Sequence, residues 1–172
     1  MPRESEGFRL AVKAYSADLY RYAYWLCSNS HQAEDIVQDA LIRAWKKWHS
    51  IEDVNATKSW LFTIVRREFL RSISKNERNK IENWSDAALN AIPDTTLKHE
   101  DETALRKMLL SVPVGMREPL ILQVLGGFSS EEISKILKIN TGAVQTRLTR
   151  ARQWLKNLIE SDMKEEAQHE SR

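Results

Sequence analysis

The segment AEDIVQDALIRAWKKW, residues 33 to 48, crowds three carboxylates, a glutamine, three basic residues and two tryptophans into one short stretch. Carboxylates that converge can hold a divalent metal for phosphodiester hydrolysis, so Glu34, Asp35 and Asp39 invite that test first. They fail it. Neighbouring residues on a helix point about 100° apart, and the three do not converge with a histidine or with a second acid cluster. The reading is therefore of a protein with no catalytic residue, no metal and no cofactor. Two other stretches could do chemistry of a binding kind. SWLFTIVRREFLRSISKNERNK, with Lys58 just before it, sets Lys58, Arg66, Arg67, Arg71, Lys75, Arg78 and Lys80 among Trp60, Phe62 and Phe69, with only Glu68 and Glu77 opposing them. Cations neutralise phosphates and rings stack on unpaired bases, so this mixture suits a strand of nucleic acid as well as it suits a solvated basic helix. The last, TGAVQTRLTRARQWLKN, has no acid at all between Thr141 and Asn157.

Helices must position these residues. Phe8, Val12, Tyr15, Leu19, Tyr22 and Leu26 recur at alternating spacings of four and three, which predicts a helix ending near CSNS. Ser30 is placed to cap a second helix, in which Ala33, Ile36, Val37, Ala40, Leu41, Ala44, Trp45 and Trp48 form the inward stripe. Asp35, Gln38, Asp39, Ile42, Arg43 and Lys46 are left on the opposite face, with Asp39 and Arg43 spaced as an i,i+4 pair. The basic-aromatic helix has two apolar faces, Trp60, Leu61, Ile64, Val65 and Glu68 on one and Phe62, Phe69 and Ile73 on another, and two faces on one exposed helix need a reason. The acidic stretch IENWSDAALNAIPDTTLKHEDE, with Pro93, reads as a linker in which Trp84 and Leu89 can dock on either side.

Beyond it, Gly126 and Gly127 stop the helix ending at LILQVL, and Pro119 is expected to start that helix near Glu118 or to kink it. Ser129 and Glu132 make a capping box for a short helix with Ile133, Ile136 and Leu137 as its apolar side. KIN is a brief turn, and Thr141 is placed to cap a longer helix. There Val144, Leu148, Ala151, Leu155 and Leu158 face inward, while Thr146, Thr149 and Gln153 face outward beside Gln145, Arg150 and Lys156. A short helix, a tight turn and a longer helix with a basic polar outer face constitute a helix-turn-helix. The expected fold is all-α: two small helical domains, residues 1–80 and 100–172, joined by an acidic linker at 81–99, the second domain containing the helix-turn-helix.

Composition agrees with a globular chain: 172 residues, 42% apolar and 29% charged, with net charge +2. No apolar run approaches the roughly 20 residues that span a bilayer, and MPRESEGFRL lacks a signal-peptide layout, so membrane insertion is not expected and a cytoplasmic location is. One cysteine, Cys27, allows no internal disulfide and sits among core positions.

Together AEDIVQDALIRAW, WLFTIVRREFLR and VPVGMREPLILQVLGGFSSEEISKILKINTGAVQTRLTRAR resemble the extracytoplasmic-function (ECF) sigma factors of the sigma-70 family, in that family's order and from about Tyr15 to Leu158. The resemblance implies a promoter-specificity factor for core RNA polymerase. Its first unit would bind the beta-prime clamp and open the minus-10 element of promoter DNA; its second would bind the beta flap and read the minus-35 element. Asp35, Gln38, Asp39, Ile42 and Arg43 would then be polymerase contacts. Residues 51–59 match the segment that captures a flipped base, with Asn55, Lys58, Trp60, Arg66 and Arg71 as minus-10 candidates. Gln145, Thr146, Arg147, Thr149, Arg150 and Lys156 would meet the minus-35 DNA, Arg147 and Lys156 at phosphates or at the domain's own surface. An anti-sigma factor is the implied inhibitor. Val65, Arg66 and Arg67 replace a common Ala-Arg-Asn, Thr57 a common aromatic, and Gln145 and Thr146 a common basic residue and serine, so neither promoter preference carries over. A free-standing helix-turn-helix regulator is the rival reading, and it would need neither the docking face nor the basic-aromatic helix.

Overall fold

Apolar spacing of three and four carries the chain into helices throughout. The computed structural model describes residues 2–74, 77, 78, 81 and 104–170, and among these every regular element is helical. The expected linker falls largely outside the described residues, as do Trp84, Leu89, Lys75 and Lys80. Among the described residues the first unit contains α1 (Pro2–Cys27), α2 (Ser30–Lys47) and α3 (Thr57–Ser72), with short 3-10 turns at Trp48–Ser50 and Val54–Ala56 between the last two. The second contains α4 (Ala104–Ser111), α5 (Val114–Val124), α6 (Ser130–Leu137) and α7 (Thr141–Glu170).

The first three helices pack pairwise on one another. Leu19, Tyr22, Ala23 and Leu26 of α1 meet Ala33, Ile36, Ala40 and Ala44 of α2 and Leu61, Ile64 and Val65 of α3, all buried. Alanine at three of the α2 contacts lets the backbones approach closely. Trp45, expected inside, is half-exposed at 50% and lies 5.1 Å, ring to ring, from Phe8. Trp48 closes the corner between Phe8 at 5.2 Å and Trp60 at 6.2 Å.

Two helix caps fall one residue earlier than the sequence suggests. Asn29, rather than Ser30, caps α2, its Oδ1 accepting the Gln32 N–H at 2.9 Å. Asn140, rather than Thr141, caps α7, its Oδ1 accepting the Ala143 N–H at 2.7 Å. Asparagine leads threonine and matches serine as a cap, and the first helical residue in each case is itself a good capper, so the pattern alone does not choose. The Ser129–Glu132 capping box of α6 forms as expected. Pro119 neither begins α5 nor ends it: the helix opens at Val114 and runs through the proline to Val124. Gly127, left-handed at φ +66°, follows the end of α5, where its N–H donates to Gln123 O and the Phe128 N–H to Leu122 O. Lys138, also left-handed at φ 56°, makes the turn between α6 and α7.

The two units share a core. α1 packs on α5, and α3 on α6. Phe62 lies fully buried between the Tyr22 ring at 5.1 Å and the Phe128 ring at 5.0 Å. This contact supplies the reason for the two apolar faces of α3: one closes the first unit, and the other receives the second.

Candidate functional site

The outer face of α2 is built by subtraction. Its apolar stripe is consumed by α1 and α3, which leaves Asp35, Gln38 and Asp39 exposed and Ile42 54% exposed despite its apolar side chain. A large aliphatic residue set among acids, off the stripe, is a surface suited to a partner that brings apolar contact and positive charge. Arg43 is also exposed, but it does not pair with Asp39 as its spacing suggests. It forms an ion pair with Glu68 on α3 instead, Nε to Oε1 at 2.8 Å, and Arg71 Nη1 donates to the same oxygen at 2.8 Å.

The minus-10 candidates separate into two groups. Asn55 stands exposed in the turn before α3, its N–H held by Asp53 Oδ1 at 2.9 Å, and Arg71 is exposed near the other end of that helix. Trp60 is half-buried against Trp48. Lys58 and Arg66 face the second unit. Lys58 Nζ donates to the Gly126 carbonyl at 2.6 Å and lies 5.3 Å from the Phe128 ring centroid. Arg66 is buried, its Nε donating to Glu118 Oε1 at 2.8 Å. Phe62 and Phe69, on the second apolar face, are buried as well. Arg67 is on the outside, four residues before Arg71 and so on the same face; that spacing is the signal that marks it as a candidate.

Glu118 is the residue that sequence reasoning missed. It is 1% exposed, and its Oε1 also accepts the Tyr22 O–H at 2.8 Å. Burial and the adjacent carboxylate push the Tyr22 phenol well above its ordinary value, so it remains a donor at any physiological pH. The neighbouring Arg117 is buried too, with Nη1 donating to Leu110 O at 2.8 Å; burial lowers its pKa to about 10, which keeps it cationic at neutral pH. The signal in MREPLIL was a pair of charges inside an apolar run, since charges are not buried without partners.

On α7, Gln145, Thr146, Thr149, Gln153 and Lys156 are exposed and Arg150 is half-buried, while Val144, Leu148 and Ala151 are fully inside. Gln145, Thr146, Thr149 and Arg150 are thus brought together on one accessible strip at the N-terminal half of the helix. Arg147 is not among them. It is buried, its pKa lowered by that burial and raised in part by Glu118, and it turns toward the centre where the units meet. Cys27 is half-buried with its Sγ donating to Asn29 O at 3.2 Å, and burial raises its pKa, which makes it a poor nucleophile. Among the described residues no cluster of metal-ligating side chains occurs, and no helix is long and apolar enough to cross a membrane.

The chain matches the family model for Sigma-70 region 2 over residues 11–79 and that for Sigma-70 region 4 over residues 102–155. It is 32% identical over 161 residues to the ECF RNA polymerase sigma factor EcfG of Rhodopseudomonas palustris, covering 92% of this chain and 88% of that one. It is 30% identical to the ECF sigma factor SigM of Bacillus subtilis over 157 residues, 88% of this chain and 94% of the relative. Among solved structures, the sigma factor RpoE in complex with the anti-sigma factor NepR from Bartonella quintana superposes with a TM-score of 0.67 at 32% identity, covering 94% of this chain and 99% of that one. CnrH, in complex with the cytosolic domain of CnrY, shares the fold with a TM-score of 0.64 at 22% identity, over 90% of this chain and 88% of that one. With both family regions present in order and relatives at this identity matched over most of their length, the chain belongs to the ECF group of sigma-70 RNA polymerase sigma factors.

Proposed function

We propose that this chain directs core RNA polymerase to a set of promoters and assists their opening, and that it performs no bond chemistry of its own. The single observation that carries the reading is the outer face of α2, where Asp35, Gln38, Asp39 and Ile42 are exposed and unneeded by the core, on a chain whose separate α7 presents a polar strip without acids. The first face docks on the polymerase clamp. Asn55 and Arg71, with Lys58, Trp60 and Arg66 behind them, serve the minus-10 element, and Gln145, Thr146, Thr149 and Arg150 read the minus-35 element while Lys156 meets phosphate. The domain limits are those of the sequence reading, 1–80 and 100–172. The protein works in the cytoplasm, where the polymerase is. By analogy with the RpoE–NepR complex, an anti-sigma factor that covers these surfaces is its regulator.

Purified core polymerase, this protein and a genomic DNA library, sequenced for new transcript starts, test the reading. Starts that share a spaced pair of sequence elements and require the protein support it. Binding to duplex DNA with no effect on polymerase would identify a free-standing regulator instead.

A further inference from the structure

The inward stripe of α3 contains a carboxylate. Glu68 falls three and four residues after Val65 and Ile64 and seven after Leu61, all buried, and it is buried with them. Two arginines share its Oε1: Arg43 of α2, ion-paired through Nε at 2.8 Å, and Arg71 of α3 itself, whose Nη1 donates at 2.8 Å. Both reach in from solvent, with more than half of each side chain exposed. One stands on the proposed docking face and the other among the minus-10 candidates. The carboxylate between them is rooted where α2 and α3 pack on each other.

Stability does not account for a charge at this position. A buried ion pair gains little over an apolar side chain of similar volume, because desolvation offsets the attraction. What the carboxylate supplies is direction. An unrestrained arginine samples many rotamers, and a ligand that fixes one of them binds more weakly by the freedom lost. A charge-assisted bond to a carboxylate anchored in the core removes much of that freedom beforehand. The bond does not exhaust the donor: a guanidinium carries five N–H groups, and Arg43 approaches through Nε and Arg71 through Nη1, so each keeps donors for a second anion. Two cations on one carboxylate also leave the cluster net positive, as an acidic protein surface or a phosphate requires.

We propose that Glu68 is a positioning residue for both recognition events: it touches neither ligand, and it holds Arg43 toward polymerase and Arg71 toward the minus-10 strand. One buried side chain thus sets the affinity for two partners on different faces. This role rests on the docking reading of Arg43 and the minus-10 reading of Arg71.

The test uses the full chain with Glu68→Met, which keeps the volume and removes the carboxylate, and Glu68→Gln, which keeps an acceptor oxygen without the charge. Each is made alone and together with Arg43→Ala or Arg71→Ala. Titration with purified core polymerase reads docking. Binding of the assembled holoenzyme to a forked promoter fragment with a single-stranded minus-10 segment reads the strand, and urea denaturation reads the fold. Ordering one arginine in advance is worth about two- to twelvefold in affinity. Glu68→Met should weaken both bindings by about that factor while the denaturation midpoint holds or rises, and Glu68→Gln should fall between it and the parent. The cycles decide. With Arg43 already alanine, Glu68→Met should cost no further polymerase affinity; with Arg71 already alanine, it should cost no further DNA affinity. Equal losses with and without the arginine mean that Glu68 acts through the fold, and they overturn the role. A loss in only one of the two bindings overturns its shared character. Undiminished binding by Glu68→Met, where Arg43→Ala and Arg71→Ala each weaken theirs, overturns the role and leaves the docking and minus-10 readings standing. If neither alanine variant weakens its binding, those two readings fail and the role fails with them. Should Glu68→Met lower the midpoint, Glu68→Gln decides by the same cycles.

Discussion

Arg43 is ion-paired with Glu68, Nε to Oε1 at 2.8 Å, so a residue from the proposed docking face of α2 is tied across to α3. Glu68 is only 7% exposed in its side chain and shares the same oxygen with Arg71, whereas the two arginines are 52% and 57% exposed. Either arginine alone keeps the carboxylate paired. Arg43→Ala and Arg71→Ala should each cost less than about 1 kcal/mol, because half-exposed pairs are screened by solvent. The double variant strands a buried carboxylate and should cost about 1–3 kcal/mol beyond the sum. Urea denaturation of the four proteins measures this, and additive costs would show that Glu68 is reached by water without help.

Asp35 and Asp39 carry no such structural duty. Both are exposed, and the α2 core contacts are made by Ala33, Ile36, Val37, Ala40 and Ala44. Replacing both acids with lysine should leave the denaturation midpoint nearly unchanged and weaken binding to core polymerase by at least about tenfold, much of it through slower association. Titration of labelled protein with core enzyme is the measurement. Undiminished affinity would move the docking site elsewhere.

The spacing of apolar residues made α1, α2, α6 and the inward face of α7 legible, because each buries a stripe against its sequence neighbours and local periodicity records that. The helix-turn-helix was legible for the same reason, aided by the Ser129–Glu132 box. What joins the units was not. Glu118 meets Arg66 across 52 residues and Tyr22 across 96, and no periodicity reports a contact at that separation. The second apolar face of α3, in excess of what one helix needs, is the one trace of it in the sequence: Phe62 and Phe69 are open to a reading as base-stacking rings because nothing local says what covers them. Arg147 is ambiguous in kind. It stands next to Thr146 and Leu148, on the border between the outer strip and the core, and only the packing of the neighbouring unit decides that its charge turns inward.

The same burial divides the melting residues. Arg66→Ala removes the cation from Glu118 and so confounds strand binding with loss of the buried contact between the two units. Arg67 and Arg71 are exposed on one face of α3 and give a cleaner experiment. Replacing both with alanine should slow open-complex formation on duplex promoters by roughly 30-fold, about 1 kcal/mol for each of the two lost phosphate or stacking contacts. Templates already mismatched across the minus-10 element should show a smaller loss. A Glu68→Gln control accounts for the ion pair that Arg71 gives up. Equal losses on both templates would mean that these arginines only hold phosphate already in place.

Reading of the minus-35 element turns on α7, where neighbouring arginines should part company. Arg150 is half-buried beside exposed Gln145, Thr146 and Thr149, within the first three turns of the helix, where a recognition helix reaches base edges. Arginine paired with guanine, or glutamine with adenine, is worth roughly 1–3 kcal/mol of discrimination. Arg150→Ala should therefore cost affinity mainly on the preferred sequence. Lys156 lies farther along, loosely paired with Glu160 at 3.8 Å, so Lys156→Ala should weaken binding to all sequences alike and lower the salt slope by about one. Arg147→Ala should do neither. Its side chain is buried, so the change should lower the denaturation midpoint while leaving sequence preference intact. Promoter-library selection with each variant distinguishes the three outcomes. If a Gln145, Thr149 and Arg150 triple alanine variant selects the same sequences as the parent, α7 does not read bases through this strip.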